Sequence, residues 1–366
     1  MPDHGWRTRA RLVATLAQTW WRRPASPTRV VLDLTRRCNL RCAMCRTWAR
    51  PAAPELSAAE IGRVLGRMHE LVWLDLTGGE PFVRRDIAEV FDAVVDNVPG
   101  LAILHFQTNG WLVDRVARHT QRLRDRLHAG IELIVTVSID GPAAVHDEIR
   151  GKPGSYARAI ATARRLREIE GVDVHIGTTL TSRNHDVLDA TWAALCADIP
   201  DLARTHWHMN AMQTSAHFYD NADTEALRVP VGAPLVRHLA ARGMPATLAE
   251  AVESVYLVNL AFVQRGEPSA IGCQALRSTM FLSPEGDVFP CHIYDRPLGN
   301  VRERDVLEIW ASTAVADARR DIEALACGGC FSACEAYPAI AGAPLATLRA
   351  TTRRAWTLLR ERGAAK

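Results

Sequence analysis

Three cysteines within eight residues, Cys38, Cys42 and Cys45, are the side chains whose spacing points most directly to chemistry. Thiolates this close together repel one another and are costly to desolvate, so a bound cation or cluster must compensate for their charge. Three arginines flank them, namely Arg36, Arg37 and Arg41. Cations lower the pKa of nearby thiols, so we expect these arginines to favour ligation. Unligated surface thiols and a zinc site are the alternatives, although structural zinc prefers paired cysteines with a fourth protein ligand.

Five further cysteines lie after residue 270. Their spacing runs Cys273-x12-Gly286-x4-Cys291 and then Cys327-x2-Cys330-x3-Cys334. The sequence shows no clean apolar run with a small-residue cleavage site, so we expect a reducing, cytoplasmic setting and metal ligation rather than disulfides. Zinc is the alternative occupant of this second set. The remaining cysteine, Cys196, stands alone in a helical stretch and is predicted to be a buried small hydrophobe.

The elements that must position these cysteines alternate between strand and helix from Arg29 to Asn210. The six predicted strands are Val30–Leu34, Leu71–Leu76, Ala102–Gln107, Leu133–Ile139, Val172–Thr179 and Thr205–Met209. Segments with helical periodicity lie between them, and Ser57 and Ser155 are plausible helix N-caps. Six such units in a row predict an α/β fold with a parallel sheet, either doubly wound or curled into a partial barrel.

Polar residues and glycines follow the first strands of this pattern, and the Cys38–Cys45 segment itself follows strand one. The other segments are Thr77-Gly78-Gly79-Glu80-Pro81, Thr108-Asn109-Gly110, and Ser138, Asp140 and Gly141 with His146 and Arg150. Each taken alone is as compatible with an ordinary turn as with a site. The carboxyl ends of successive parallel strands share one edge of a sheet, where α/β barrels build their active sites. The sequence therefore predicts one site at this edge.

The Cys-x3-Cys-x2-Cys spacing after a first strand resembles the radical S-adenosylmethionine (SAM) superfamily over roughly Arg29 to Cys334. The resemblance implies a partial (β/α)6 TIM-like barrel and a [4Fe–4S] cluster on Cys38, Cys42 and Cys45. The iron left open by three cysteines would chelate SAM, whose reductive cleavage gives a 5′-deoxyadenosyl radical that abstracts a substrate hydrogen. A fully ligated cluster could only pass electrons. The alternative from a different functional class is a non-catalytic electron carrier. That function would leave the polar loops after the strands unexplained.

The same resemblance assigns a SAM pocket to the loops after the strands. The GGEP-like, TNG-like and Ser-x-Asp-Gly…Arg segments correspond to the family's cofactor contacts. Met44 stands where the family often has an aromatic residue against adenine, and a thioether can make a similar soft contact. The implied cofactor-binding residues are Met44, Gly78, Gly79, Glu80, Asn109, Ser138, Asp140, Arg150 and Ile176.

The second cysteine set resembles the SPASM and twitch modules, which hold auxiliary iron–sulfur clusters after a radical SAM barrel. A full SPASM pattern needs seven cysteines, and five are present here. The shorter twitch pattern needs four, implying one auxiliary [4Fe–4S] cluster on Cys273, Cys291, Cys327 and Cys330. Cys334 is then an alternative ligand or a hydrogen donor. The expected organisation is a helical extension (1–28), the barrel (29–220), a helical linker (221–265), a small α+β Cys-rich domain (266–340) and a C-terminal helix (341–366).

The resemblance implies an enzyme that takes hydrogen from its substrate. We expect oxidation of a small or glycosylated natural product, with the auxiliary cluster as electron acceptor. Epimerisation with a cysteine hydrogen donor, and modification of a ribosomal peptide, are the alternatives. Peptide-modifying relatives often carry a recognition domain of about 80 residues ahead of the barrel, and 28 residues precede the first strand here. Candidate substrate contacts are His208, Asn210 and Tyr219.

The net charge and the lengths of the apolar runs limit the classes of partner that this chain is expected to bind. The formal charge of +3 on 366 residues gives no argument for nucleic acid, and no apolar run reaches the roughly 20 residues of a membrane span. The expected partners are therefore a small-molecule substrate and an external one-electron reductant such as flavodoxin or ferredoxin.

Overall fold

Strands and helices alternate through the first part of the chain, as the apolar periodicity predicts. The computed structural model describes residues 5–51, 53–327, 329–342 and 344–364. The strands are β1 (Arg29–Asp33), β2 (Trp73–Thr77), β3 (Ile103–Thr108), β4 (Glu132–Ser138), β5 (Val172–Leu180), β6 (Trp207–Ala211), β7 (Thr279–Leu282), β8 (Asp287–Phe289) and β9 (Gly299–Asn300). The α-helices are α1 (Gly5–Gln18), α2 (Ala58–Gly66), α3 (Ile87–Asn97), α4 (Val113–Arg126), α5 (Ala143–Arg150), α6 (Ser155–Arg167), α7 (Leu188–Asp198), α8 (Gly232–Arg242), α9 (Leu248–Val263), α10 (Val306–Trp310), α11 (Thr313–Glu323), α12 (Ala333–Gly342) and α13 (Pro344–Ala364).

The strands form one nine-stranded sheet in the order β6-β5-β4-β3-β2-β1-β7-β8-β9. The first six are parallel to their neighbours, and β7 pairs parallel with the free edge of β1. β7 and β8 form an antiparallel hairpin around Gly286, whose φ is +95°. This hairpin of the Cys-rich region thus continues the sheet of the first six strands.

Side chains alternate between the two faces of the strands. One face packs beneath the helices and is apolar, with Leu32, Leu74 and Phe106 fully buried. Burying each such side chain contributes about 1.5–3 kcal/mol. The opposite face carries polar side chains such as Asp75 and His105, which the register sets side by side. The helices thus cover an apolar outer face, while a polar inner face is left to build a site.

The sheet curls around this inner face. Val31 on β1 and Asn210 on β6 line the same cavity, although four strands lie between β1 and β6 in the sheet. The partial barrel expected from the sequence is therefore confirmed, and α9 and α12 lie on its open side. From α12, Glu335 accepts a hydrogen bond at 2.6 Å from Thr279 of β7, while Tyr337 contacts His208 of β6 at 2.9 Å.

The predictions for the helix N-caps and for Cys196 are confirmed only in part. Ser57 caps α2 in a capping box with Glu60, as predicted. Ser155 is not a cap: it is the first residue of α6, and Gly154, at a φ of +80°, precedes it. Residues 311–312 separate α10 from α11. Cys196 is exposed rather than buried.

The described helices include none with both the length and the apolarity needed to cross a membrane.

Candidate active site

The loop after β1 presents Cys38, Cys42 and Cys45 at the carboxyl end of the sheet. Its backbone is tied to the end of α5, because the amide of Ala43 donates to the carbonyl of Ile149 at 2.8 Å. Gly151 ends α5 at a φ of +66°, and a Cβ there would lie 2.4 Å from the carbonyl oxygen of Arg41. The close approach of the cysteine loop therefore needs a glycine at this position.

The loop after β2 supports the cysteine loop from its other side. The amides of Gly79 and Glu80 donate to the carbonyls of Thr35 and Arg37, at 2.6 and 2.9 Å. A Cβ on Gly79 would lie 2.3 Å from the carbonyl oxygen of Arg37. The glycine pair thus serves backbone contact between the two loops.

Burial sets the protonation of the free thiols. It raises the pKa of Cys38 to about 12 and that of Cys42 to about 11. The expectation that the neighbouring arginines lower these pKa values is therefore wrong. Arg36 instead pairs with Glu285 at 3.0 Å, and Arg37 pairs with Glu55 at 2.8 Å.

Arg150 contacts Cys42 directly, with Nη1 lying 3.8 Å from Sγ. Buried thiols with raised pKa values need a positive ligand before all of them ionise.

These loops enclose a cavity of about 210 Å³ at the inner face of the sheet. Most of the residues assigned to cofactor or cluster from the sequence line it, namely Cys38, Cys42, Met44, Cys45, Gly78, Gly79, Glu80, Asn109, Ser138 and Arg150. Five segments far apart in the chain thus meet around one space.

Glu80 is buried in the wall of this cavity. Its carboxylate accepts hydrogen bonds from the Thr108 hydroxyl at 2.9 Å and from the Asn109 amide at 2.7 Å. Burial nevertheless raises the pKa of Glu80 to about 7. The group can therefore take up or release a proton near neutral pH, and a cationic ligand beside it favours the ionised form.

Asp140 lies behind the cavity wall, where it pairs with Arg150 at 2.7 Å. It also accepts a hydrogen bond from the amide of Thr179 at 3.0 Å. Asp140 therefore holds Arg150 and the end of β5 in place and does not line the space itself.

Ile176 also differs from expectation. Its side chain points into the apolar core beneath the helices, so Thr179 lines the cavity from this strand.

The three substrate candidates are divided by the structure. Asn210 and Tyr219 line the cavity. His208 instead takes part in a polar network, donating toward Glu253 at 2.8 Å and contacting Asn210 at 3.0 Å. Burial alone would raise the pKa of Glu253. The charge and hydrogen bond of His208, with a hydrogen bond from Tyr337, lower it instead to about 2.

Sequence reasoning missed a row of ionisable residues on the inner face of the first three strands. Arg29 pairs with Asp75 at 2.8 Å, and Asp75 also contacts Nδ1 of His105 at 2.8 Å. Burial alone would raise the pKa of Asp75, but Arg29 and His105 keep it below its usual value. The sequence contained a signal for this row, because the polar residues Asp75 and His105 interrupt predicted strands that are otherwise mostly apolar.

Four of the five C-terminal cysteines interact with one another. The pKa of Cys273 is raised by burial and then by repulsion from neighbouring acidic groups, including Cys330 and Cys291. Burial raises the pKa of Cys330 to about 11, and Cys327 adds to that shift. This group of four thiols has the donor set of a fully ligated iron–sulfur cluster.

Cys334 is placed differently. It lines the main cavity with Cys38 and Cys45, and it packs against the same apolar cluster as Tyr219. Burial raises the pKa of Cys334 to about 12, although Arg29 opposes the shift.

His292, next to Cys291 in the chain, is also buried in the cavity wall. Its Nδ1 has no hydrogen-bond partner among the described residues.

The donor sets fit the groups that the sequence implies. Three thiols with an adjoining polar cavity suit a cluster with one open iron, and four thiols suit a closed cluster. The cavity wall also contains Glu80, Asn109 and Arg150, which suit the polar groups of a bound cofactor.

Two family models match the chain. The radical SAM superfamily model matches residues 32–186, and the SPASM iron–sulfur cluster-binding model matches residues 273–331. Together they cover more than half of the sequence.

Curated relatives extend over most of the chain. The AdoMet-dependent heme synthase of Methanosarcina barkeri is 28% identical over 326 residues, covering 83% of this chain and 88% of that protein. Mycofactocin maturase MftC of Mycolicibacterium smegmatis is 28% identical over 347 residues, covering 88% and 80%.

Solved structures share the fold. The structure of anSMEcpe with bound AdoMet has a TM-score of 0.57 at 14% identity and covers 89% of this chain and 100% of that chain. Streptococcus suis SuiB bound to its precursor peptide SuiA has a TM-score of 0.56 at 16% identity, covering 86% and 71%. With the motifs, the cavity and the two family models in agreement, this chain belongs to the radical SAM superfamily and carries a C-terminal SPASM domain.

Proposed function

We propose that this enzyme oxidises an organic substrate held in the main cavity, by removing a hydrogen atom and then one electron and one proton. The cluster on Cys38, Cys42 and Cys45 with bound SAM supplies the carbon radical that accepts the hydrogen atom. The proposed electron acceptor is an auxiliary cluster on the thiols at 273, 291, 327 and 330, and an external reductant such as ferredoxin or flavodoxin supplies the initiating electron.

The observation that carries this proposal is that thiols of both sets act on one residue of the cavity wall, Tyr219. Its side chain lines the cavity, and its pKa is raised by burial and then by thiols of both sets, Cys45 and Cys330 among them. A substrate beside Tyr219 therefore lies near both sets, as electron transfer to a second cluster requires.

His105 is the proposed proton acceptor. It lines the cavity, and its Nδ1 is fixed by Asp75 at 2.8 Å while its Nε2 contacts the Thr136 hydroxyl at 3.0 Å. A carboxylate that orients an imidazole is a common arrangement for acid–base catalysis. Oxidation of a carbinol carbon to a carbonyl releases one proton, which His105 would receive.

The proposed substrate is a small or glycosylated natural product. The heme synthase relative is named for a small-molecule product, and it aligns over 83% of this chain. A peptide substrate is the alternative, because SuiB, which shares the fold, is described with its precursor peptide.

The test is anaerobic turnover of cluster-loaded protein with dithionite and SAM in D2O, using panels of hydroxylated small molecules, glycosides and peptides. Oxidation predicts a product two mass units lighter, with one 5′-deoxyadenosine formed per product. Conversion of peptides alone would overturn the small-molecule assignment. A product of unchanged skeleton that gains one deuterium would overturn oxidation.

A specific observation favours epimerisation as the second candidate function. Cys334 lines the main cavity and packs against the same apolar cluster as Tyr219, whereas the thiols at 273, 291, 327 and 330 do not line this cavity. A thiol in that place could return a hydrogen atom to the substrate radical. We predict that Cys334→Ala keeps the iron content of the wild type under either function. Under epimerisation it abolishes deuterium incorporation, whereas under oxidation it leaves the yield of the lighter product within about threefold. Cys196→Ala, at an exposed cysteine, is the matched control.

A further inference from the structure

A cluster of three metal-ligating side chains lies away from the cysteine sets, near the amino ends of β5 and β6. It consists of Asp173, His175 and His206. Asp173 and His175 are two residues apart on β5, so their side chains share one face of the strand. His206 comes directly before β6, and the pairing of Ile176 with Trp207 sets it beside His175. Two hydrogen-bonded strands thus hold all three side chains, and the proposed oxidation uses none of them.

Ligand atoms of all three side chains lie within 4.8 Å of one another, close enough to surround one cation. Nε2 of His175 lies 3.0 Å from Oδ2 of Asp173, and Nε2 of His206 lies 3.4 Å from Oδ1. The two imidazole centroids are 5.0 Å apart. Ligand atoms in a tetrahedron around Zn²⁺, each about 2.0–2.1 Å from the metal, are about 3.3–3.4 Å from one another.

The surroundings leave the cluster available to a cation. Burial alone would raise the pKa of Asp173, but hydrogen bonds from the two histidines hold it below its usual value, so Asp173 is ionised at neutral pH. Among the described residues its ion-pair partners are the two histidines, with no arginine or lysine in that role. Its side chain is 51% exposed, so an ion can reach it from solvent. Nδ1 of His206 is buried and has no hydrogen-bond partner among the described residues.

We propose that Asp173, His175 and His206 form a binding site for a divalent transition-metal ion of the Zn²⁺ type, with water completing the coordination. Two imidazoles and one carboxylate are a donor set that such ions accept. The bound ion would join the edge strand β6 to β5 at the end of the sheet opposite the main cavity. The site is independent of the proposed oxidation, because it lies on different residues and needs no substrate.

The alternative is that Asp173 only accepts hydrogen bonds from the two histidines. Asp173→Asn separates the two readings, because asparagine keeps the size and a hydrogen-bonding oxygen but loses the charge that a metal needs. His206→Ala removes a ligand from the other strand. His128→Ala, at an exposed histidine elsewhere, is the matched control.

The experiment is equilibrium dialysis of cluster-loaded, anaerobic protein against micromolar Zn²⁺, with zinc and iron measured on the same samples. We expect about one Zn²⁺ per chain in wild type and His128→Ala at unchanged iron, and at least about tenfold weaker binding in both site variants. Saturating Zn²⁺ should also raise the melting temperature of wild type but not of Asp173→Asn. Equal zinc binding by wild type and Asp173→Asn, or binding only with loss of iron, would overturn the site.

Discussion

At the scale of single residues, burial decides which acidic groups in and around the cavity are charged. It raises the pKa of both Glu80 and Glu335 to about 7, although each accepts a hydrogen bond from a threonine. Asp75 shows the opposite balance, since Arg29 and His105 outweigh its burial. A carboxyl group at this depth is therefore held ionised only where a cation stands beside it.

This balance predicts a pH dependence of stability. The pKa of Glu80 in the folded chain lies above that of an unfolded glutamate, so the folded state binds the extra proton. Its contribution to stability is fully present at low pH and is lost as the pH rises through about 7. We expect Glu80→Gln to reduce the stability difference between pH 6 and pH 8 by roughly 1 kcal/mol in cofactor-free protein. Denaturant titrations at the two pH values measure it, and an unchanged difference would show that Glu80 ionises normally.

At the scale of elements, the site depends on close backbone contact between neighbouring loops. The cysteine loop touches the loop after β2 at Gly79 and the end of α5 at Gly151. Neither contact leaves space for a side chain. These glycines therefore fix where the thiols lie relative to the cavity.

We predict that Gly79→Ala destabilises the protein by about 1–3 kcal/mol and lowers the iron bound per chain. The added methyl would meet the carbonyl of Arg37, and moving that carbonyl displaces Cys38. Urea denaturation and iron analysis measure the two effects. Gly66→Ala is the control, because its added methyl would meet neighbours only at ordinary contact distance, 3.5 Å or more. Equal behaviour of the two variants would contradict the prediction.

At the scale of the whole molecule, the SPASM region and the barrel share one sheet. β7 covers the edge of β1, and α12 reaches the inner face, where Cys334 acts on Arg29. The second cysteine set is thus positioned by the same sheet that positions the first. We therefore expect this shared sheet to affect both the iron content and the aggregation state of the chain.

We expect about eight irons per chain after anaerobic reconstitution, since each [4Fe–4S] cluster holds four. The Cys38/Cys42/Cys45→Ala variant should retain about four, and so should Cys273/Cys291→Ala. Iron and acid-labile sulfide analysis measures both. About four irons in wild type, falling to none in the first variant, would leave the C-terminal cysteines as zinc ligands or hydrogen donors.

We also predict that a chain ending at residue 265 aggregates, because it exposes the apolar edge of β1 at Val30–Leu32. Size-exclusion chromatography checks this. The Cys273/Cys291→Ala variant is the control, since it keeps β7 and should remain monodisperse. A monodisperse truncated chain would show that β7 is not needed to protect that edge.

The sequence by itself determined the features that depend on the order and spacing of residues along the chain. These are the two cysteine sets, the polar loops after the strands and the strand–helix alternation. Strand pairing then follows from general rules for parallel sheets. The position of Cys38–Cys45 beside Glu80 and Asn109 could be predicted in this way.

Only the tertiary structure decided which distant residues meet. Cys334 faces the cavity because α12 packs against Arg29, more than 300 residues earlier in the chain. The arginines beside Cys38 pair with glutamates instead of thiols, and Ile176 turns to the core rather than to the cavity. Asp173 and His206 lie together only because β5 pairs with β6. These contacts depend on packing and burial between remote segments, which local sequence patterns do not encode.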